Sequence, residues 1–468
     1  MGMIDLLKKF IESNWVIEKA VRELVERLPL RFRYGISYGP TFRHWLGFLK
    51  ESEKWDRDRL EAYQLEHLRA LLIYAGNNVP YYQSLFQEYG FMPEKVQSPK
   101  DIEVLPYLDR RTVQEKKQQL ISANVPARAL IPLYTSGTSG VPLVIYATKE
   151  TEEKHWATIV DLWGRIGYTP KTKVVFFTAN IRRGKKENLP WNKYGNTLVL
   201  SSNYFSDEWI DKYVELMASF EPEYLIGFPH TIAVFCSHMR NRSRNSISRS
   251  LKGVILYAEN IYEWQIGIIR DVLGVRVLYD YGMVEKVIHA GSCEHSVAFH
   301  LYPQYGFTEY LSLNDSTYEL VGTGFINYAM PLIRYKTGDL CSKARKVCAK
   351  CGRYYDTFTE IDGRMGDYLI TADEHIVSVY LDTDFSVLEH IQRFQLYQDL
   401  PGRVELKIWP ADLFHFGEAR RILHEIKRSL GSNASKIRFD IILMDNMKSQ
   451  TTGKYRMVDQ RLNIRNFL

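Results

Sequence analysis

Val254-Ile255-Leu256-Tyr257, a helix-spaced run from Ile261 to Leu273, and Val275 to Tyr279 leading into Asp280-Tyr281-Gly282-Met283-Val284-Glu285 decide the fold class of this chain. Short, continuous apolar runs are strands covered on both faces, and the longer run between them is the helix that does the covering. The same alternation extends upstream. A helix bearing Trp156, Ile159, Leu162 and Trp163 precedes Val174-Val175-Phe176-Phe177, and helices through Trp209 to Met217 and Ile232 to Met239 flank Tyr224-Leu225-Ile226. From Lys149 to Tyr281 this rhythm predicts an α/β domain whose mainly parallel sheet is covered by helices. Ligands of such sheets bind beyond the carboxyl ends of the strands. Those ends carry Gly227-Phe228-Pro229-His230, Ala258-Glu259-Asn260 and Tyr281-Gly282-Met283-Val284-Glu285, so three turns are expected to face one crevice.

A fourth segment belongs with them. Tyr134-Thr135-Ser136-Gly137-Thr138-Ser139-Gly140-Val141-Pro142 lies between apolar Leu130-Ile131-Pro132-Leu133 and strand-like Leu143-Val144-Ile145-Tyr146. The hydroxyls of Ser136, Thr138 and Ser139, with the amides of Gly137 and Gly140, form a donor-rich turn suited to the β- and γ-phosphates of a nucleotide. An ordinary Ser/Thr/Gly hairpin is the plain alternative. A Walker-type loop is excluded, because Gly453-Lys454 is followed by Tyr455 rather than Ser or Thr.

With 468 residues, 45% of them hydrophobic and 25% charged, the chain can bury a large core and divide into more than one unit. Its 61 basic against 55 acidic residues leave a net charge of +6 with no long basic block, which disfavours nucleic acid as a partner. The basic stretch Arg240-Asn241-Arg242-Ser243-Arg244-Asn245, followed by Arg249, reads as a solvated loop. No apolar stretch approaches the roughly 18 residues of a membrane span. Leu6, Leu7, Phe10, Ile11 and Ile17 interleave with Lys8, Lys9, Glu12 and Glu18 as an amphipathic helix, unlike a signal peptide, so a cytoplasmic location is expected. That helix is expected to dock on its own domain, with peripheral membrane contact as the alternative.

Beyond Arg364 to Asp367 a smaller α/β unit is expected, with alternation at Val404 to Ile408 and Ile437 to Ile441 around a helix from Glu418 to Arg428. The expected units are a helical extension (1–67), a large domain (68–365) and a small, mobile lid domain (366–468) carrying Lys454.

The ordered motifs Tyr134 to Gly140, Tyr281 to Glu285, Tyr335-Lys336-Thr337-Gly338-Asp339, Gly363-Arg364-Met365-Gly366-Asp367 and Thr452-Gly453-Lys454 resemble the acyl-adenylate-forming superfamily. Within it, Asn78-Val79-Pro80-Tyr81-Tyr82, Leu105-Pro106, Ala329-Met330-Pro331-Leu332-Ile333-Arg334-Tyr335 and Cys351-Gly352-Arg353 resemble the phenylacetate–CoA ligase branch, especially relatives associated with surface-polysaccharide genes. The resemblance implies an AMP-forming acid–thiol ligase using ATP, Mg²⁺ and CoA. It gives Glu285 the positioning of Mg²⁺, Asp339 the ribose hydroxyls, Arg364 the ribose or phosphate, and Lys454 a mobile positive charge between carboxylate and α-phosphate. Such a site must supply charge and aligned donors where two anions are brought together. Thr138 joins Lys454 and Glu285 as a catalytic candidate, while Ala258, Glu259, Tyr281, Gly282 and Met283 are nucleotide-binding candidates, with Tyr281 near adenine. Phe228, His230 and Tyr257, with Met283 and Trp191 nearby, suit an apolar or aromatic acid. In relatives, the position of Gly366-Asp367 is the pivot on which the small domain swings to admit the acceptor.

This chain departs from the family pattern at Leu143, where lysine is frequent, at Lys336, where arginine is usual, and at Gly366, where an acidic residue is frequent. An amide ligase resembling indoleacetate–lysine ligase, in which an amine captures the adenylate, is the rival within enzymes. A silent binding module in glycan assembly is the rival outside them.

Cys348-Ala349-Lys350-Cys351 is a Cys-x-x-Cys knuckle, and five cysteines in an expected cytoplasmic protein favour metal or free thiols over disulfides. Cys293 with either His295 or His300 would complete a closed structural zinc set, and His300, which begins a strand-like run, is preferred. A reduced pair with no metal is the alternative. Cys236 and Cys341 are expected to be plain buried residues.

Overall fold

The computed structural model describes residues 39–467 apart from 136–142, 179–188, 203, 205–206, 241–249, 260, 262, 313–316, 343–346, 359–367, 380–390, 411–413, 445–457 and 463. Three helices lead this part of the chain: α1 (Pro40–Ser52), α2 (Arg57–Asn78) and α3 (Pro80–Glu88). Pro40 and Pro80 occupy first-turn positions, where a missing N–H leaves no bond unmade. Asp56 caps α2 by accepting from the Arg59 amide at 2.9 Å. Short helices α4 (Arg110–Glu115) and α5 (Lys117–Leu120) follow. The hydroxyl-rich loop then springs from an antiparallel hairpin, β1 (Ile131–Tyr134) and β2 (Val144–Ala147), which runs into α6 (Lys149–Gly164).

The alternating region forms β3 (Val174–Thr178), β4 (Trp191–Tyr194), β5 (Thr197–Ser201), α7 (Asp207–Phe220), β6 (Tyr224–Gly227), α8 (Pro229–Arg240), β7 (Gly253–Tyr257), α9 (Glu263–Leu273) and β8 (Arg276–Gly282). Strands β9 (His289–Gly291), β10 (Phe299–Leu301), β11 (Gly306–Ser312), β12 (Thr317–Gly324), β13 (Tyr335–Ser342) and β14 (Thr357–Phe358) come next. They make a nine-stranded sheet in the order β14-β10-β9-β8-β7-β6-β3-β5-β4 and a separate β11-β12-β13 meander. The centre, β5 to β8, is parallel as expected, whereas β4 on one margin and β9, β10 and β14 on the other are antiparallel. These marginal strands are short, and three-residue runs such as His289–Gly291 have no periodicity to betray them.

Alternation along β7 shows why the central strands are apolar throughout. Val254 and Leu256 are buried with Tyr213 of α7, Phe235 of α8 and Ile269 of α9. Ile255 faces the other way and is buried with Leu278, Leu162 of α6 and Leu49 of α1. Each such side chain contributes on the order of 2 kcal/mol by leaving water. The expected unit edge at 67–68 needs correction, because α2 runs uninterrupted from Arg57 to Asn78 with Leu60 and Leu68 both buried. Trp45 and Leu49 are packed beneath α6 in the same way, so helices α1 and α2 are part of the large unit's core.

After residue 367 come β15 (Tyr368–Ile370), β16 (Ile376–Ser378), β17 (Ile391–Leu400), β18 (Arg403–Pro410), α10 (Phe416–Leu430), β19 (Arg438–Leu443) and β20 (Val458–Gln460). The sheet β19-β18-β17-β20 and α10 bury a cluster of their own, including Leu396, Leu406, Ile422 and Ile426. The expected strands at 404–408 and 437–441 and the helix at 418–428 are all present, their ends lying one or two residues from the expected ones. The expected edge at 365–366 lies outside the described residues.

Candidate functional site

Strands β6, β7 and β8 are parallel neighbours, with Gly227 beside Leu256 and Tyr257 beside Asp280. Their carboxyl ends therefore lie side by side, as the alternation predicts. Ala258, just beyond β7, has φ 64, a left-handed conformation that costs a non-glycine residue on the order of 1 kcal/mol. Glu259 is half-buried beside it. At the end of β8 Gly282 is exposed, and a Cβ there would come within 2.9 Å of His289 Nδ1, so this turn has no room for a side chain.

Glu285 is 6% exposed and its Oε1 accepts the Tyr335 hydroxyl at 3.2 Å. One guanidinium nitrogen of Arg110 lies 4.0 Å from the same oxygen, and another donates to Thr135 Oγ1 at 3.1 Å. Thr135 Oγ1 also accepts the Leu143 amide at 2.9 Å, closing the neck of the hydroxyl-rich loop. Arg110 thus joins the base of that loop to Glu285. Its place is fixed by the backbone: Leu108 donates to the Arg334 carbonyl at 3.0 Å and accepts from the Lys336 amide at 2.8 Å, while Asp109 caps α4. No sequence signal distinguished Arg110 from its neighbour Arg111, whose Nε merely donates to Glu115 at 2.7 Å.

The Thr-Gly-Asp motif lies on β13 where its register with β12 shifts. Gly338 takes φ 73, its amide donating to Glu319 at 3.1 Å, and the Asp339 amide donates to Thr337 Oγ1 at 3.0 Å. Tyr281 donates its hydroxyl to Asp339 Oδ2 at 2.8 Å, so β8 and β13 meet here. Lys336, at the position where arginine is usual, has its ammonium 3.2 Å from Glu319. Buried Leu143 occupies a second departure. Phe228 and Tyr257 lie 5.2 Å apart between ring centroids, with Phe176 6.0 Å from Tyr257, forming an aromatic wall at the same strand ends. Trp191 stands on the antiparallel margin, paired with Leu200 and packed against the main core.

Ser136, Gly137, Thr138, Ser139, Gly140, Arg364, Gly366, Asp367 and Lys454 lie outside the described residues, as does the side chain of His230. The basic stretch 241–249 and the N-terminal run 1–38 lie outside them too.

A second site sits toward the amino end of β8. The chain leaving Glu285 returns antiparallel as β9, with Gly282 opposite His289 and Asp280 opposite Gly291, and so delivers Cys293. Strand β10 supplies His300, and the knuckle supplies Cys348 and Cys351. The four ligand atoms lie within 4.8 Å of one another, and His300 Nε2 is 3.3 Å from Cys351 Sγ. The other ring nitrogen of His300, Nδ1, is 2.9 Å from the Ala298 carbonyl, and as its donor it leaves Nε2 free to ligate. Burial pushes the His300 imidazole down to about 4, keeping it neutral. His295 is exposed and outside the cluster, so the preferred histidine is the one that converges. Cys236 and Cys341 are buried and apart from it, and burial raises both thiols.

Arg353, just after the knuckle, forms a fork with Glu294 (2.8 and 3.0 Å) and donates to Glu53 at 3.0 Å, while Arg57 reaches Asp356 at 2.8 Å. Burial alone would raise the Glu294 carboxyl, but Arg353 outweighs it and holds it at about 2. These bonds tie the knuckle to the α1–α2 junction.

The large sheet with its crevice at the strand ends and the appended small sheet share the fold of a solved acyl-CoA ligase. Over 88% of this chain and 92% of the other, the structure superposes with TM-score 0.60 and 15% identity on a 2-hydroxyisobutyryl-CoA ligase solved in complex with 2-HIB-AMP and CoA. In sequence the chain is a relative of the phenylacetate-coenzyme A ligases: it is 27% identical to that of Aromatoleum evansii, over 69% of this chain and 74% of the relative. It is also 22% identical to the protein CapK of Staphylococcus aureus, over 82% and 85%. No family model matches the chain. No helix among the described residues is long and apolar enough to cross a membrane.

Proposed function

We propose that the protein activates a carboxylic acid with ATP, forming an acyl-adenylate and pyrophosphate, and then transfers the acyl group to the thiol of CoA. The observation that supports this most is the convergence of Arg110, Thr135 and Glu285 at the loop neck, beside the Tyr281–Asp339 pair. In this reading the Ser136 to Gly140 turn and Arg110 hold phosphate oxygens, Asp339 accepts ribose hydroxyls, and Arg364 supports them. Ala258, Glu259, Gly282 and Met283 line the adenylate, with Tyr281 near the base. Glu285 is a hard oxygen donor of the kind Mg²⁺ selects, and that ion would neutralise the triphosphate. Thr138 and Lys454 act on the reacting phosphate, Lys454 arriving on a small domain that pivots at Gly366-Asp367. The aromatic wall of Phe228 and Tyr257, with His230 beside it, receives an apolar or aromatic acid.

The donor set Cys293, His300, Cys348 and Cys351 fits structural Zn²⁺. Tetrahedral coordination needs edges of roughly 3.5–3.8 Å, between the 3.3 Å separation of His300 Nε2 from Cys351 Sγ and the 4.8 Å within which all four ligand atoms lie. We assign the protein to the cytoplasm and, following its resemblance, to surface-polysaccharide synthesis. The test is pyrophosphate release over a panel of carboxylic acids including phenylacetate, followed by mass spectrometry of the product formed with CoA or with a mixture of amines. An acyl-CoA supports the proposal. An amide would reassign the acceptor, and no acid-dependent pyrophosphate would overturn the ligase reading.

A further inference from the structure

Lys286, the neighbour of Glu285, is a buried lysine with no part in the chemistry above. Its ammonium lies 3.1 Å from Glu152 Oε1, and the two side chains are only 6% and 11% exposed. Removing two ions from water costs several kcal/mol each, so their placement calls for a reason other than stability. The backbone of Lys286 is equally constrained. Its φ is 58, and a Cβ at Gly324 of β12 would overlap the Lys286 carbonyl, so the turn is pressed flat against the meander. The Lys286 amide donates to Met283 at 3.2 Å, closing the turn that displays Glu285.

Glu152 comes from the first turn of α6, the helix into which β2 runs after leaving the hydroxyl-rich loop side of its hairpin. That helix start is itself fixed. Thr148 and Thr151 cap it reciprocally, and Thr151 Oγ1 donates to the Ile326 carbonyl at 3.2 Å. The ion pair therefore connects the element downstream of the phosphate loop with the turn that presents the acidic side chain opposite it. Arg110 makes a second connection, on the solvent side of Glu285, between the same two parts.

Resting on the proposed ATP and Mg²⁺ site, we infer that Lys286 and Glu152 are positioning residues: their buried ion pair holds the start of α6, into which β2 runs from the loop's neck at Thr135 and Leu143, against the turn that carries Glu285, and so tunes the Mg²⁺-dependent part of nucleotide binding. A pair serving only the fold would affect stability without affecting that part.

Calorimetry of ATP binding to the full chain, with MgCl₂ and with EDTA, separates the two, read beside thermal unfolding. Lys286→Met and Glu152→Gln should each reduce the Mg²⁺-dependent gain in ATP affinity by about 10-fold, comparable to one lost charge-assisted contact. Binding in EDTA should change by less than about 2-fold. The double variant Lys286→Met, Glu152→Met leaves no lone buried charge, so it should regain thermal stability while keeping the defective Mg²⁺ response. If the double variant, or Glu152→Gln should Lys286→Met not fold, shows the wild-type Mg²⁺ gain, the positioning role is overturned. Absence of ATP binding by the wild type would instead overturn the proposed function itself, a distinguishable failure.

Discussion

The two ends of β8 hold two sites of opposite character. At the carboxyl end, hard oxygen groups and cations gather around an exposed Gly282: Glu285, Asp339, the Tyr281 and Tyr335 hydroxyls, and Arg110. Toward the amino end, three soft sulfurs and one imidazole close on themselves, fenced by Arg353 and its carboxylates. Oxygen ligands suit ions and phosphates that come and go, whereas a closed thiolate–imidazole set suits a metal that stays. On the proposed reading one sheet supports a working crevice and a staple, and the antiparallel return of β9 makes the two clusters neighbours in sequence.

Perturbing each end should reveal this division. The largest effect on catalysis is expected from Lys454→Ala, which removes the proposed mobile charge. Adenylate formation, followed by pyrophosphate release, should fall by about 100- to 1,000-fold, while thioester formation from a supplied acyl-adenylate stays close to wild type. Equal loss in both half-reactions would contradict the travelling-lysine reading. Arg110→Met should come next. It leaves Glu285 and Thr135 without their shared cation and should weaken ATP binding by roughly 10-fold, with partial rescue by Arg110→Lys.

At the opposite end, Cys348→Ser should abolish one equivalent of bound zinc, measured by elemental analysis, and destabilise the protein by on the order of 3 kcal/mol. Adenylation by the folded fraction should change by less than about 2-fold. A large catalytic loss at unchanged stability would erase the contrast between the two ends.

The smallest catalytic effect is expected midway along the strand, at Asp280. Its carboxylate accepts Trp163 Nε1–H at 2.8 Å and lies 3.6 Å from His289. Burial raises it from 3.8 to about 7. Between those values the folded protein holds a proton that the unfolded chain has released. Its contribution to stability is therefore fully present below about pH 4, and is lost as pH rises through 7. Asp280→Asn should remove that slope from urea titrations across this window and leave adenylation at neutral pH unchanged.

What the sequence disclosed follows from what carries period. Buried runs such as Val254 to Tyr257 announced the parallel centre, though not its strand order, because strands covered on both faces must be apolar throughout. The knuckle was equally legible, since few roles other than metal binding ask for that spacing and composition, and even the choice of His300 over His295 followed from its strand-like context. The antiparallel margins were not legible. Strands such as β9 and β14 owe their pairing to partners far away in sequence. Helix α2 erased the expected edge at 67–68 because its buried face continues through that position, a fact visible only once α1 and α6 are packed together. Arg110, Lys286 and Glu152 were hidden for a related reason. A lone charged residue carries no pattern, and only long-range contacts show that Arg110 bridges Thr135 to Glu285 or that Lys286 is buried against Glu152.

The most direct test of the whole account is exchange of labelled pyrophosphate into ATP by the wild-type protein. The account predicts exchange that requires both Mg²⁺ and a carboxylic acid. Exchange with no acid requirement, or none with any acid in a panel spanning aliphatic and aromatic carboxylates, would contradict it.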